Sequence, residues 1–289
     1  MRAPEGALLV GISNPDTATR LVALSSALAR TPRQRPAGPP DRHAGSQPIL
    51  LVHAVTVANQ ISLGTGSTSP EVIHARDLLG AASEAARDHG QSVRAIVEVA
   101  RSVEEGLLSA AESHDASLIL VGYSGDEKRS EAEERFDRTM HRVARRARAD
   151  VVVATFRRPE HRSILVPVPE DAPLRLTSRL CRALQAHTGA SPTFLHVAAS
   201  AASVDEARAR VQARLSPVAL GTDASLRVVS SDDPAAVIIE ESERHDLVLL
   251  GPSRRPSLFD AVFSNRARTI AESISASVVV GWGLEEATA

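Results

Sequence analysis

The stretch ESHDASLILVGYS, residues 112 to 124, recurs as ESERHDLVLLGPS at 241 to 253, which sets Glu112 on Glu241, Ser113 on Ser242 and Gly122 on Gly251. A chain that repeats a motif at about half its length folds as two similar units, and this limits the architecture more than composition does. The correspondence extends outward. Each copy opens on an apolar run (ALLVGIS at 7, SILVPVP at 163), followed by an amphipathic stretch (DTATRLVALSSALAR, LRLTSRLCRALQAH) and a second apolar run (ILLVHAV, TFLHVAA). His53 and His196 take matching places in those second runs. A third strand (SVRAIVEVA, SLRVVSS), a helix (SVEEGLLSAAESH, DPAAVIIEESERH), the repeated run, a further helix and a closing strand (DVVVATF, SVVVGWG) complete each copy.

Continuous Val/Ile/Leu runs alternating with helical periodicity indicate parallel strands covered on both faces. The predicted fold class is α/β: two doubly wound domains, each a parallel five-stranded sheet flanked by helices. The charged, proline-containing FRRPEHRS marks the boundary, giving domains at 1–158 and 159–289. Two segments of the first copy have no counterpart in the second. Residues 31–48, rich in proline and polar side chains, and residues 59–70, NQISLGTGSTSP, read as surface loops.

The 289 residues suit two domains of ordinary size, and 43% hydrophobic with 24% charged residues is the balance of a folded soluble protein. A formal net charge of -2 and 2% aromatic residues supply neither the field nor the stacking surfaces of a nucleic-acid binder. The single cysteine, Cys181, lies in a helical pattern and reads as a small buried hydrophobe. The first apolar run is too short for a secretion signal, and no stretch approaches the roughly 20 apolar residues of a membrane helix. The expectation is a cytoplasmic protein without direct membrane insertion.

The strand order, the LVHAV and FLHVA second strands, the LILVGYSG and LVLLGPSR turns and the closing VVV strands together resemble a tandem universal stress protein over nearly the whole chain. The first copy is also similar to the stress-protein-like cytoplasmic regions of bacterial amino-acid permeases and cation transporters, in its opening LLVGISNPDTATRLVALSSALAR and in VANQISLGTG. The resemblance implies the adenine-nucleotide alpha-hydrolase-like fold. In the nucleotide-binding branch it implies ATP held by G-x-x-G-x9-G-[ST], with an aspartate ending the first strand. Glycines there admit backbone N–H groups to the phosphates, and the following helix points its positive end at them.

Against that pattern the first copy is degenerate. Gly122 and Gly125 keep the opening, but Asp137 and Arg138 fall on the Gly-Ser pair, Ser13 stands for the aspartate, and the charged DEKRSEAEER lengthens the loop. The second copy is partial. Gly251 is kept, Arg254 replaces the second glycine, Ser264 and Asn265 take the Gly-Ser places, and Pro169 stands for the aspartate. Gly251, Arg254, Ser264 and Asn265, with Arg255 and Arg266 beside them, form either an anion-binding corner at a helix N-terminus or a polar loop capped by Ser264 or Asn265. No cofactor is assigned; ATP or another adenine nucleotide is the ligand class that the resemblance implies.

No metal-protease, C-x-x-C, nucleophile-elbow or Walker motif occurs. The pairs Glu104–Glu105 and Glu240–Glu241 read as charged outer helix faces, Ser109 lacks a recognisable base, and His53 and His196 read as strand histidines. His114, His141, His161 and His245 read as solvated or capping. The expected function is therefore non-enzymatic: stress response or regulation through a protein partner. Two alternatives stand beside it, a cytoplasmic regulatory domain contacting a transporter membrane domain, and an ATP- or cAMP-type sensor acting through the second copy. The resemblance further implies pairing of closing strands, within the chain as a pseudo-dimer or between chains as a homodimer, with Trp282 near that seam.

Overall fold

The computed structural model describes residues 6–31, 46–59, 69–123, 131–169, 173–198, 204–216, 223–251 and 274–283. The chain divides into two compact units, Met1–Ala154 with Gly283–Ala289, and Thr155–Trp282.

The first unit runs β1 (Ala7–Gly11), α1 (Pro15–Arg30), β2 (Ile49–Thr56), α2 (Pro70–Asp88), β3 (Val93–Ala100), α3 (Val103–Ser113), β4 (Ala116–Tyr123), α4 (Glu131–Arg146) and β5 (Asp150–Thr155). Its strand order is β3-β2-β1-β4-β5, and β1 pairs in parallel with both β2 and β4. Leu8, Leu9 and Val10 of β1 and Leu118, Ile119 and Leu120 of β4 are wholly buried at consecutive positions. Burial without alternation means that both faces of these strands are covered. Helix α1 begins at Pro15, whose fixed φ suits a first turn, and Asn14 Oδ1 caps it by accepting from Asp16 N–H at 2.8 Å.

The second unit repeats the order with β6 (Ser163–Pro167), α5 (Arg175–Thr188), β7 (Ser191–Ala198), α6 (Val204–Leu215), β8 (Ser225–Ser230), α7 (Pro234–Ser242), β9 (Leu247–Leu250) and β10 (Ser277–Trp282). The order β8-β7-β6-β9-β10 is that of the first unit. Register is also shared. Leu8 faces Ile49 and Leu118, as Ile164 faces Pro192 and Leu247. Helix α5 ends at Gly189, which at φ 68° takes the left-handed conformation and returns its N–H to Gln185 O at 2.8 Å. Cys181 on this helix is fully buried, as its apolar surroundings in the sequence suggest. Trp282 packs against the second unit's core around Leu165, Val248 and Val280.

At the amino ends of the strands the two units tie the first strand to the fourth by different chemistry at matching positions. Ser117 Oγ donates to Gly6 O at 3.0 Å, and Gln47 Nε2 donates to Ser117 Oγ at 2.7 Å. In the second unit Asp246 takes the place of Ser117. Its carboxylate accepts from Arg162 N–H at 2.9 Å, Ser163 N–H at 3.1 Å and Ser163 Oγ at 3.0 Å, and pairs with Arg158 at 3.2 Å. Arg157 and Arg158 N–H both reach Ser277 Oγ, at 3.0 and 3.1 Å, and His161 Nε2 lies 2.8 Å from it. The segment FRRPEHRS is thereby bonded along the amino end of β6, β9 and β10. His161 is engaged there by Ser277, which differs from the solvated or helix-capping role expected of it.

Candidate nucleotide crevice

In a doubly wound sheet, ligands bind outside the carboxyl ends of the strands where the strand order reverses. In the order given above, these points lie between β1 and β4 and between β6 and β9. The two crevices are built alike. His53 Nδ1 donates to Ile12 O at 2.7 Å, and its repeat counterpart His196 donates to Val168 O at 2.8 Å. Ile12 N–H bonds Val52 O and Val168 N–H bonds Leu195 O, both at 2.8 Å. The paired histidines thus fasten the chain just past the first strand to the second strand. Burial holds the His53 pKa below its ordinary value, against the opposing pull of Ile12 O, and nearby His74 adds to the lowering. This favours neutral His53 at pH 7, with Nδ1 carrying the proton.

Around this shared frame the walls differ. In the first crevice Ser13 is exposed where the resemblance expects aspartate, Asn14 Oδ1 is engaged by the Asp16 amide, and Asp16 itself stands in the first turn of α1. A carboxylate there opposes an incoming phosphate, by about 1 kcal/mol for unit charges 4 Å apart in water. Tyr123, just past Gly122, is in ring contact with Phe136 of α4, with centroids 4.9 Å apart. In the second crevice α5 has Leu174 at its cap, no acid in its first turn and Arg175 as its first residue. Arg214 of α6 donates to Pro169 O at 2.9 Å.

The retained glycines have a reason in packing. A Cβ at Gly122 would lie 2.7 Å from Leu21 Cδ1 and 3.0 Å from its Cδ2 and Cγ. A Cβ at Gly251 would strike Thr177 Oγ1 and lie 3.2 Å from Thr177 Cβ. Leu21 and Thr177 hold equivalent places on α1 and α5, and neither glycine has positive φ. In both units glycine lets the first helix close on the fourth strand, a requirement independent of any ligand. Of the second-copy site residues, Gly251 stands at the carboxyl end of β9, while Arg254, Ser264 and Asn265 lie outside the described residues, as do Arg255, Arg266 and Gly125.

Several polar expectations are corrected. Glu104 is not on an outer face: it is 7% exposed, and its carboxylate accepts from Arg142 Nε at 2.5 Å and Arg146 Nη1 at 2.6 Å. Burial works to raise its pKa, but the two guanidiniums prevail and hold it below the usual carboxylate value. Glu241 is likewise buried, between Arg227 at 3.0 Å and Arg244 at 2.7 Å, whereas Glu105 and Glu240 are exposed as expected. Ser109 Oγ does find a carboxylate, Glu98 Oε1 at 3.0 Å. Of the two roles expected for His245, solvated or capping, the second holds: it is buried and caps α7 by donating from Nδ1 to Glu241 O at 2.9 Å. No group of three or more His, Cys, Asp or Glu able to hold a metal occurs among the described residues. Nor is any described helix long and apolar enough to cross a membrane.

No protein-family model matches the sequence. No curated protein is similar enough in sequence to match it. Solved structures do match, at probability 1.00. The cytoplasmic domain of a prokaryotic cation chloride cotransporter superposes with a TM-score of 0.63 at 14% identity, over 97% of this chain and 96% of that one. A universal stress protein from Archaeoglobus fulgidus gives 0.60 at 12% identity, covering 96% of each chain. A functionally unknown protein from Pseudomonas aeruginosa gives 0.56 at 12% identity, over 95% of this chain and 91% of that one. The fold is that of the universal stress proteins, matched over about 95% of the chain.

Proposed function

We propose that this chain is a non-enzymatic regulatory module with the universal stress protein fold, acting in stress response or regulation by binding a protein partner. The observation that carries the reading is the pair of glycines. Gly122 and Gly251 are filled in by Leu21 and Thr177, so the surviving fragments of a phosphate loop follow from helix packing and need no nucleotide. Ser13 and Asp16 in the first crevice support the same conclusion.

Two further readings have specific support. Likeness over 97% of the chain to a cotransporter's cytoplasmic domain favours a regulatory region that contacts the membrane part of an amino-acid or cation transporter. The absence of a first-turn acid on α5, against Asp16 on α1, makes the second crevice the more tolerant of an adenine nucleotide, held by Gly251, Arg254, Ser264 and Asn265. The purified chain, analysed by native mass spectrometry and assayed for ATP turnover, separates these readings. The module predicts the bare chain mass and no turnover; co-purified adenine nucleotide selects the sensor, and sustained turnover overturns the non-enzymatic reading.

A further inference from the structure

Strand β3 stands at one end of the first unit's strand order and pairs with β2 through eight consecutive positions without a shift of register. Ala100 O accepts from Val57 N–H at 3.0 Å. Backbone groups alternate sides along a strand, so Arg94, Ile96, Glu98 and Ala100 turn theirs to β2, while Val93, Ala95, Val97 and Val99 turn theirs outward. Among the described residues no backbone group pairs with that outer side. Open edges are ordinarily blunted by proline, a bulge, short length or charge. The sequence of β3, VRAIVEVA, contains no proline, and its two charges, Arg94 and Glu98, are of opposite sign. Arg94 and Ala95, on opposite faces, are both exposed, and only Ala100 of the strand is buried. The matching outer strand of the second unit, β8, spans six residues against eight, has serine at both ends, and its Arg227 is held within the chain by Glu241 at 3.0 Å.

We infer that β3 is the contact strand of a homodimer, pairing antiparallel with β3 of a second copy of this chain about a two-fold axis at Ile96. This goes beyond the functional reading above and uses a different strand from the closing strands that the family resemblance implies. Arg94 and Glu98 lie on one face of β3 but about 13 Å apart along it, too far to pair with each other. Among the described residues no ion pair holds either one, and Ser109 Oγ engages only Oε1 of Glu98, at 3.0 Å. With Ile96 opposite the second copy's Ile96, Arg94 falls opposite the second copy's Glu98, and Glu98 opposite its Arg94. The outward-turned Ala95 and Val97 then exchange backbone bonds with the second copy's Val97 and Ala95, and Val93 with its Val99. The charge pairs take the intervening positions without backbone bonds, where Cα atoms lie about 4.5 Å apart and side chains approach most closely. The open side of the backbone and the spacing of the two charges thus agree on one register. A slip by one residue would oppose outward-turned groups to inward-turned ones, and a parallel pairing in matched register would set Arg94 on Arg94 and Glu98 on Glu98. Such self-complementarity is the mark of an isologous interface, which closes at two copies.

The test is sedimentation velocity of the full chain across about 1–100 μM, with Arg94→Glu and Glu98→Arg made singly, mixed, and combined in one chain. The wild-type chain is expected to sediment at twice the chain mass at the upper concentrations. Each single variant sets like charges at both cross-strand pairs, which raises the dimer dissociation constant about tenfold or more. An equimolar mixture of the two single variants restores opposite charges at both pairs and forms a heterodimer, and Arg94→Glu/Glu98→Arg in one chain dimerises as the wild type does. Circular dichroism verifies the fold of each variant, and recovery on mixing shows that neither single variant lost the dimer by unfolding. A wild-type chain that stays monomeric throughout, single variants that dimerise as the wild type does, or a mixture or double variant that stays monomeric overturns the inference. None of these outcomes bears on ATP turnover or co-purified nucleotide, so failure of the strand pairing and failure of the non-enzymatic reading are distinct.

Discussion

Gly122→Ala puts one methyl group where α1 and β4 meet. Its carbon would lie 2.7, 3.0 and 3.0 Å from three atoms of Leu21, against the roughly 3.5–4.0 Å of an unstrained carbon contact. Leu21 is fully buried, so it has no solvent side into which to retreat. Overpacking of this kind costs about 1–3 kcal/mol. Replacing glycine at a permitted φ returns about 0.4–1 kcal/mol by restricting the unfolded chain, which leaves a net loss of about 1–2 kcal/mol. Leu21→Ala alone opens a cavity and costs about 2–5 kcal/mol. In the double variant the new methyl enters that cavity, so the two changes together cost at least about 1 kcal/mol less than their sum. Urea unfolding of the four proteins measures this coupling, with unchanged m-values showing that the unfolded state is comparable. A neutral Gly122→Ala, or strict additivity, would refute the packing account of the glycine.

Glu104→Gln removes the charge clamped between Arg142 and Arg146. Because both guanidiniums are more than half exposed and stay solvated, the expected loss at pH 7 is about 1–2 kcal/mol. The folded pKa is lowered, so the wild-type advantage is full above the unfolded value of about 4.3 and fades as pH falls through the folded value. Urea midpoints of both proteins across acid pH follow it. Asp246→Asn weakens the tie to Arg158, Arg162 and Ser163. Burial opposes the lowering of this carboxyl but its donors prevail, so a loss of about 1–2 kcal/mol at pH 7 disappears in acid in the same direction. Cys181 is buried, and desolvation, against a weaker pull from Arg182, pushes its thiol up to about 12. Iodoacetamide at about pH 8 should therefore leave it unmodified in the native protein and label it fully in urea.

What the repeat carried in plain text was the order of strands and helices and the correspondence of His53 with His196. The common function of those histidines, each donating to the backbone just past the first strand, emerges only once β1 and β2 are in register. Glu104 and Glu241 were misplaced because helical periodicity sees one helix at a time. Their arginines are up to 42 residues away or on a neighbouring strand, and two cations make burial tolerable. Helix α6 gives a weak sequence signal because VDEARARVQARL has five charged residues in twelve and buries only Ala207 and Val211. The matching of Ser117 with Asp246 was present in the ungapped repeat alignment, but a serine and an aspartate announce no common task until both are seen tying the first strand to the fourth.

The most direct measurement is isothermal titration of the full chain with ATP, with Arg254→Ala/Ser264→Ala in parallel. If the surviving glycines serve helix packing alone, neither protein gives saturable heat at millimolar ATP. Saturable binding to the wild-type chain that is lost in the variant would contradict the account and place a nucleotide in the second crevice.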